Sequence, residues 1–248
     1  VNSTAQEVTV AQPNGVANAN CTLGEAILAA NTRINVDACT GASLPSDPIT
    51  ITLLAGSYDF ASPGANVAFG AALFPMALPA VRNSITIEGN GALLQRSVNP
   101  NTPAMGFFSF ETGTNLVFRG NNFTLARGVR GTQFAGGPDA FFNQGSATIS
   151  QFRLTDVTLS GGLGTVFQIS ASGLIRLERV ISRGAGGRTA RGSLTAAGPG
   201  PAAIQIVDSE FADTRGSLNL SVSSNANGGA ILVSGSRSAS ALRSSGVL

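Results

Sequence analysis

The chain has 248 residues, with 15 Arg, 13 Asp or Glu, no Lys, His or Trp, and a formal net charge of +2. Without His there is no imidazole for acid–base work or metal ligation, and so small a net charge gives no electrostatic case for nucleic acid. Charged residues make up only 11%, against roughly 25% in ordinary soluble domains, so small neutral side chains must cover the surface.

In chain order, Glu7-Val8-Thr9-Val10 alternates polar and apolar residues, the period of a strand, and Pro13-Asn14-Gly15 supplies turn chemistry after it. Thr22-Leu23-Gly24-Glu25 has the form of a capping box, in which the Thr22 hydroxyl accepts the backbone N–H of Glu25 and the Glu25 carboxylate reaches back. Leu23, Ala26, Ile27 and Ala30 then recur at helical spacing, which predicts a short helix with one apolar side. Cys21 and Cys39 lie 18 positions apart. In an exported chain this pair reads as a disulfide, and in a reducing compartment as two buried thiols. The start at Val1 in place of Met reads as a mature chain whose export signal has been removed, and no apolar run is long enough to span a membrane.

The run from Phe69 through Leu73 and Phe74 to Met76 is too apolar for a solvated loop, so it should fold back on the chain or pack on a partner. From Leu116 to Phe211 one short pattern then recurs four times, as Leu116-Val-Phe118 with Phe123, Phe152-Arg-Leu154 with Val157, Ile175-Arg-Leu177 with Val180, and Ile204-Gln-Ile206 with Phe211. Two inward residues alternate with an outward one, a polar turn follows, and another apolar residue resumes the inward side. Phe118, Leu154, Leu177 and Ile206 are separated by 36, 23 and 29 residues, periods of a stacked solenoid with variable loops.

At this point a family resemblance becomes specific. Cys21-Thr22-Leu23-Gly24-Glu25-Ala26-Ile27 resembles the Cys-Ser-Leu-Arg-Glu-Ala-Ile segment that opens many exported bacterial right-handed parallel β-helix proteins, with Gly24 in place of the usual arginine. Ile49-Thr-Ile51-Thr-Leu53 and Ile85-Thr-Ile87-Glu88 are similar to the segments that follow it in that family, and Gly228-Gly229-Ala230-Ile231 is similar to a repeat of polymorphic outer-membrane adhesins. The resemblance implies an all-β chain folded as a right-handed parallel β-helix, or β-solenoid, with a short N-terminal capping helix. One domain over 1–248 is expected, with strand, helix and cysteine loop in 1–45, coils in 46–233 and a tail in 234–248.

Counted from the inward residues, Asp156, Arg179 and Asp208 fall at equivalent turn positions. Paired carboxylates on one face suit a polysaccharide hydrolase or lyase, whereas an Asp-Arg-Asp ladder of surface ion pairs needs no activity at all. Polygalacturonase-like and alginate epimerase-like members of the fold carry His motifs that this chain lacks. A pectate lyase-like reading needs further carboxylates for calcium, and none is found on that side. The expectation is therefore a non-enzyme without metal or cofactor, in a structural or adhesive role outside the cell or on its surface. Arg119, Arg127, Arg130, Arg153, Arg176, Arg179, Arg183, Arg188 and Arg191 crowd one section, which makes an acidic glycan a candidate partner if they share a face. The tail after Val233 offers no helix pattern, leaving an open strand edge. Head-to-tail self-association is expected there, with Val8 and Val10, or Val247 and Leu248, donated as an added strand, and Phe69, Leu73 and Phe74 supplying apolar contact.

Overall fold

Runs that alternate apolar with small polar residues form nineteen strands among the described residues, and the segment with helical spacing forms one helix. The structure is a computed structural model and describes residues 1–41, 49–69, 72–99, 101–111, 116–126, 138–144, 148–161, 165–183, 191–198, 201–212, 218–224, 229–238 and 242–246. Helix α1 is Leu23–Thr32. The strands are β1 Ile49–Thr52, β2 Ser57–Phe60, β3 Ala65–Phe69, β4 Ala72–Met76, β5 Ile85–Arg96, β6 Phe108–Phe110, β7 Val117–Ala126, β8 Pro138–Asn143, β9 Gln151–Ser160 and β10 Thr165–Ala171. They continue with β11 Leu174–Glu178, β12 Ile181–Arg183, β13 Arg191–Gly198, β14 Ala203–Val207, β15 Glu210–Ala212, β16 Leu218–Ser224, β17 Ala230–Ser234, β18 Arg237–Ser238 and β19 Leu242–Gly246.

Two parallel sheets share these strands. One has the order β1-β5-β7-β9-β11-β14-β17, with β2, β12, β15 and β18 attached, and the other has β19-β16-β13-β10-β8-β6. From β5 onward the chain visits the two sheets by turns, and each return adds a strand beside the previous one in sequence. The β3–β4 hairpin is antiparallel and forms a separate two-stranded sheet whose Val67 and Met76 pack with Phe142 of β8.

In-register pairing places like residues on like. Ile49, Ile85, Phe118, Phe152, Ile175, Ile204 and Ile231 form one inward column. In the second sheet Phe108, Phe141 and Phe167 stack, with centroids 5.4 and 5.9 Å apart and ring planes within 7° and 9°. Across the core they meet the Phe118–Phe152 stack, with Phe141 edge-on to Phe152 at 5.3 Å. Such pairs add to the area they bury.

A second inward column runs Ile51, Ile87, Gly120, Leu154, Leu177, Ile206. Gly120 is its exception and corrects the sequence spacing. Phe118 pairs with Phe152 rather than Leu154, because the ring of Phe123 fills the inward place at 120. A Cβ there would lie 2.9 Å from both the Phe123 ring and Leu154. The fourth copy shifts too, since Phe211 pairs with Ser182. The place next to Val180 goes to buried Ser209, whose hydroxyl accepts the Val180 N–H at 3.0 Å and donates to the Val207 carbonyl at 2.9 Å.

The first sheet bends at a corner. In β9 both Phe152–Leu154 and Val157–Leu159 are buried as alternating pairs, while Asp156 between them is exposed. A straight strand would send those pairs to opposite sides. Asp156 has φ 55°, and its left-handed backbone turns the chain so that both pairs face inward.

At the front, α1 carries both bonds of the capping box, from the Thr22 N–H to Glu25 Oε2 at 3.0 Å and from the Glu25 N–H to Thr22 Oγ1 at 3.4 Å. Leu23 and Ile27 enter the core cluster that contains Ile51 and Leu53. Cys21 and Cys39 are bonded at 2.01 Å. Among the described residues no helix is long and apolar enough to cross a membrane.

Two expectations fail here. Residues 7–10 form no strand, because Val8 is buried against Gly24, where a Cβ would stand 2.8 Å from the Val8 Cβ. That contact also leaves no room for a side chain at position 24. The tail is not a loose end either: β18 pairs with β15, and β19 continues the second sheet beside β16.

Phe141→Ala should cost about 3–5 kcal/mol in urea unfolding without changing the slope, because it empties the centre of the aromatic stack. Replacing Cys21 and Cys39 together by Ser should cost about 3 kcal/mol, the chain-entropy value for a loop of this size, read in the same titration.

Candidate functional site

The outward side of the first sheet follows the same registers. One column on it reads Thr50, Thr86, Arg119, Arg153, Arg176, Gln205, Leu232, and two residues along runs Thr52, Glu88, Asn121, Thr155, Glu178, Val207, Ser234. Three guanidinium side chains thus leave three successive strands, about 4.8 Å apart.

Arg176 is compensated. Its Nε and Nη2 donate to Glu178 Oε2 at 3.0 and 2.7 Å, and Nη1 donates to Gln205 Oε1 at 3.1 Å. Glu88, the other carboxylate on this face, accepts from Asn121 Nδ2 at 2.7 Å. Arg119 and Arg153 make no salt bridge among the described residues. Their Nε atoms are sealed from water without a hydrogen-bond partner, as is Gln151 Oε1. Burial, followed by the charges of Arg119 and Arg176 on either side, pushes the Arg153 guanidinium below its ordinary pKa. Like charges directly opposite in a ladder destabilise it.

The second feature is the corner. Asn122, Asp156, Arg179, Asp208 and Gly235 occupy successive corner positions, all with positive φ. Asn, Asp and Gly tolerate that backbone and Arg does not favour it. Arg179 holds Asp156 with two bonds, Nε to Oδ1 at 2.6 Å and Nη2 to Oδ2 at 2.8 Å, and also pairs with Glu178. The Asp156 carboxyl is held below its usual range first by that hydrogen bond, and Arg179 is raised by the same contact. Asp208 makes no salt bridge to Arg179 among the described residues. Its Oδ1 lies only 1.9 Å from where a Cβ on Gly235 would stand, so it leans toward the following strand. The three residues share a column, but the two carboxylates do not converge on a common point.

The remaining sequence candidates scatter. Phe74 packs with Val67, Met76 and Phe142, while Leu73 and Val10 are exposed. Arg183 reaches Glu210 at 3.4 Å. The side chains of Phe69 and Arg191, together with Arg127, Arg130, Arg188, Val247 and Leu248, lie outside the described residues.

The arginine column had a signal in the sequence: Arg119, Arg153 and Arg176 each follow the first inward residue of their strand. Matching Phe118 to Leu154 hid it by two positions. No family model, curated protein or solved structure matches this chain.

Asp156 provides a pH test. Because its folded-state pKa is lowered, its stabilisation is present above the unfolded value, about 3.9, and is lost as pH falls through the folded one. Asp156→Asn should therefore lower the thermal midpoint slightly at pH 7, and the difference from the parent should close below about pH 4. A difference that persists in acid would assign the effect to the backbone turn.

Proposed function

We propose that the chain is a right-handed parallel β-helix with a structural and adhesive role at the cell surface, and that it engages an acidic glycan along Arg119, Arg153 and Arg176. The alternating path between two in-register parallel sheets supports the fold, and the helix over the front end supports the likeness to exported capped β-helices. The disulfide fits an oxidising compartment.

One observation carries the binding reading: three stacked guanidiniums, two of which have no carboxylate partner among the described residues, whereas Arg82, Arg176, Arg179 and Arg183 each pair with one. Arg forks onto carboxylate and sulfate, and a ligand with anionic groups along its length relieves the repulsion that the register imposes. The sole Tyr, Tyr58, is buried and bonded to the Leu54 backbone, so charge rather than ring stacking has to do the recognising. A non-enzymatic role fits the corner, where Asp156 is fully engaged by Arg179. Self-assembly is a second reading, favoured by β17, where Leu232 is 51% and Val233 41% exposed. Since α1 covers the opposite end and Val8 is packed inside, like ends meet more readily than head and tail.

Affinity chromatography on immobilised polygalacturonate and heparin, with neutral dextran as control, tests the binding. The parent should be retained on both acidic resins, less so as salt rises. Arg119→Gln with Arg153→Gln should weaken binding at least tenfold, while Arg82→Gln, whose parent side chain pairs with Glu111, should not. Equal retention of the double variant, or no retention at low salt, overturns the reading.

A further inference from the structure

Away from the arginine column, three carboxylates converge beside the helix cap. Glu7, Glu25 and Asp37 each place an oxygen within 4.8 Å of the other two. They arrive from three segments: the extended front of the chain, the first turn of α1, and a left-handed residue two before Cys39. Among the described residues none of the three makes a salt bridge. Neutral donors hold the outer two in place. Asn18 and Asn20 donate their side-chain amides to Glu7 at 3.1 and 2.8 Å, and the Asn18 N–H donates to Asp37 Oδ2 at 2.9 Å.

Glu25 is the decisive member. Its side chain has no exposure, and Oε2 is occupied by the Thr22 N–H and hydroxyl, while Oε1 is sealed from solvent with no partner at all. Gly15 closes over that oxygen so tightly that a Cβ there would stand 2.2 Å from it. The capping box explains Oε2 and leaves Oε1 unexplained. A buried carboxylate oxygen next to two further carboxylates is expensive unless a cation neutralises the group.

We propose that Glu7, Glu25 and Asp37 bind a calcium ion. Calcium takes oxygen ligands at about 2.3–2.6 Å in irregular geometry, so oxygens on opposite sides of one ion stand about 5 Å apart, the span found here. Magnesium demands a tighter octahedron, and soft metals prefer sulfur or imidazole, neither of which is offered. The ion joins the front segment, the cap helix and the disulfide loop at one point. It therefore stabilises the capped end without taking part in glycan contact.

Calorimetric unfolding of the intact, oxidised chain tests the site, first with EDTA and then with calcium. At calcium about a hundredfold above its dissociation constant the midpoint should rise by about 5–10 °C, and terbium should compete with calcium for the site in equilibrium dialysis. Asp37→Asn retains a residue that tolerates the left-handed turn, and together with Glu7→Gln it should abolish the calcium response while leaving the EDTA midpoint unchanged or higher. Asp37→Asn alone, at an exposed position, should reduce the response in a protein with parental circular dichroism. A parent whose midpoint ignores calcium and which retains none in dialysis overturns the site. A calcium response that survives in the double variant overturns it as well.

Discussion

Parallel pairing in strict register is the constraint on which this structure depends. Each strand adds about 4.8 Å from its neighbour and repeats its residue positions directly above those of the strand before. Whatever suits a column in one strand must suit it in the next. For inward positions the constraint is easily met: Ile on Ile gives a continuous apolar wall, and Phe on Phe gives the near-parallel rings of Phe108, Phe141 and Phe167. At the corner it is met by residues that accept a left-handed backbone, mostly Asn, Asp and Gly.

For charge the same constraint is adverse, and the chain answers it in two ways. Half of the positions in the two outward columns carry Ser, Thr, Asn or Gln, in keeping with the low charged fraction. At the corner opposite signs alternate, so that Arg179 sits beside Asp156 and gains two hydrogen bonds in place of repulsion. The Arg119–Arg153–Arg176 column follows neither course. Nothing in the folding of the sheet requires arginine there, since Thr50, Thr86 and Gln205 occupy the same column in other strands. It is an unfavourable local choice in an otherwise consistent chain, and under the proposed glycan reading the compensation comes from outside it.

Legibility in the sequence divides by range. The capping box and helix of Thr22 to Ala30 are local chemistry, complete within ten residues, and were readable in full. Alternation around Phe152, Ile175 and Ile204 made the strands equally plain. Register was harder, because it depends on which residue fills a given place in three dimensions. Gly120 looks like a turn residue until Phe123 is seen occupying its space, and Ser209 looks outward until its hydroxyl is found bridging the Val180 N–H and the Val207 carbonyl. Residues 7–10 misled in the opposite sense: their alternation is strand-like, yet Val8 is claimed by the helix at Gly24. The tail offered no helix pattern, yet it joined the sheets as β18 and β19, because parallel pairing asks little of side chains at an outer strand. The carboxylate cluster was invisible, since Glu7, Glu25 and Asp37 lie in separate segments and Glu25 already had a role in the cap.

The two ends of the stack are unlike, and the arginine column lies between them. At the front, α1 and the disulfide's Cys39 pack in the core cluster with Ile51 of β1. At the far side, even the inward Val233 is left partly exposed. In a stack stabilised mainly by neighbouring strands, local opening starts where a strand has one neighbour and proceeds inward. Strands β7, β9 and β11 each have a partner on both sides and the Phe118–Phe152 stack beneath them. Separating them to relieve guanidinium repulsion would sacrifice ladder hydrogen bonds and aromatic contact together. The three arginines are thus held at strand spacing by the part of the fold least able to yield. Because that order is imposed during folding, an anionic chain of the kind proposed would have little of it left to supply on binding.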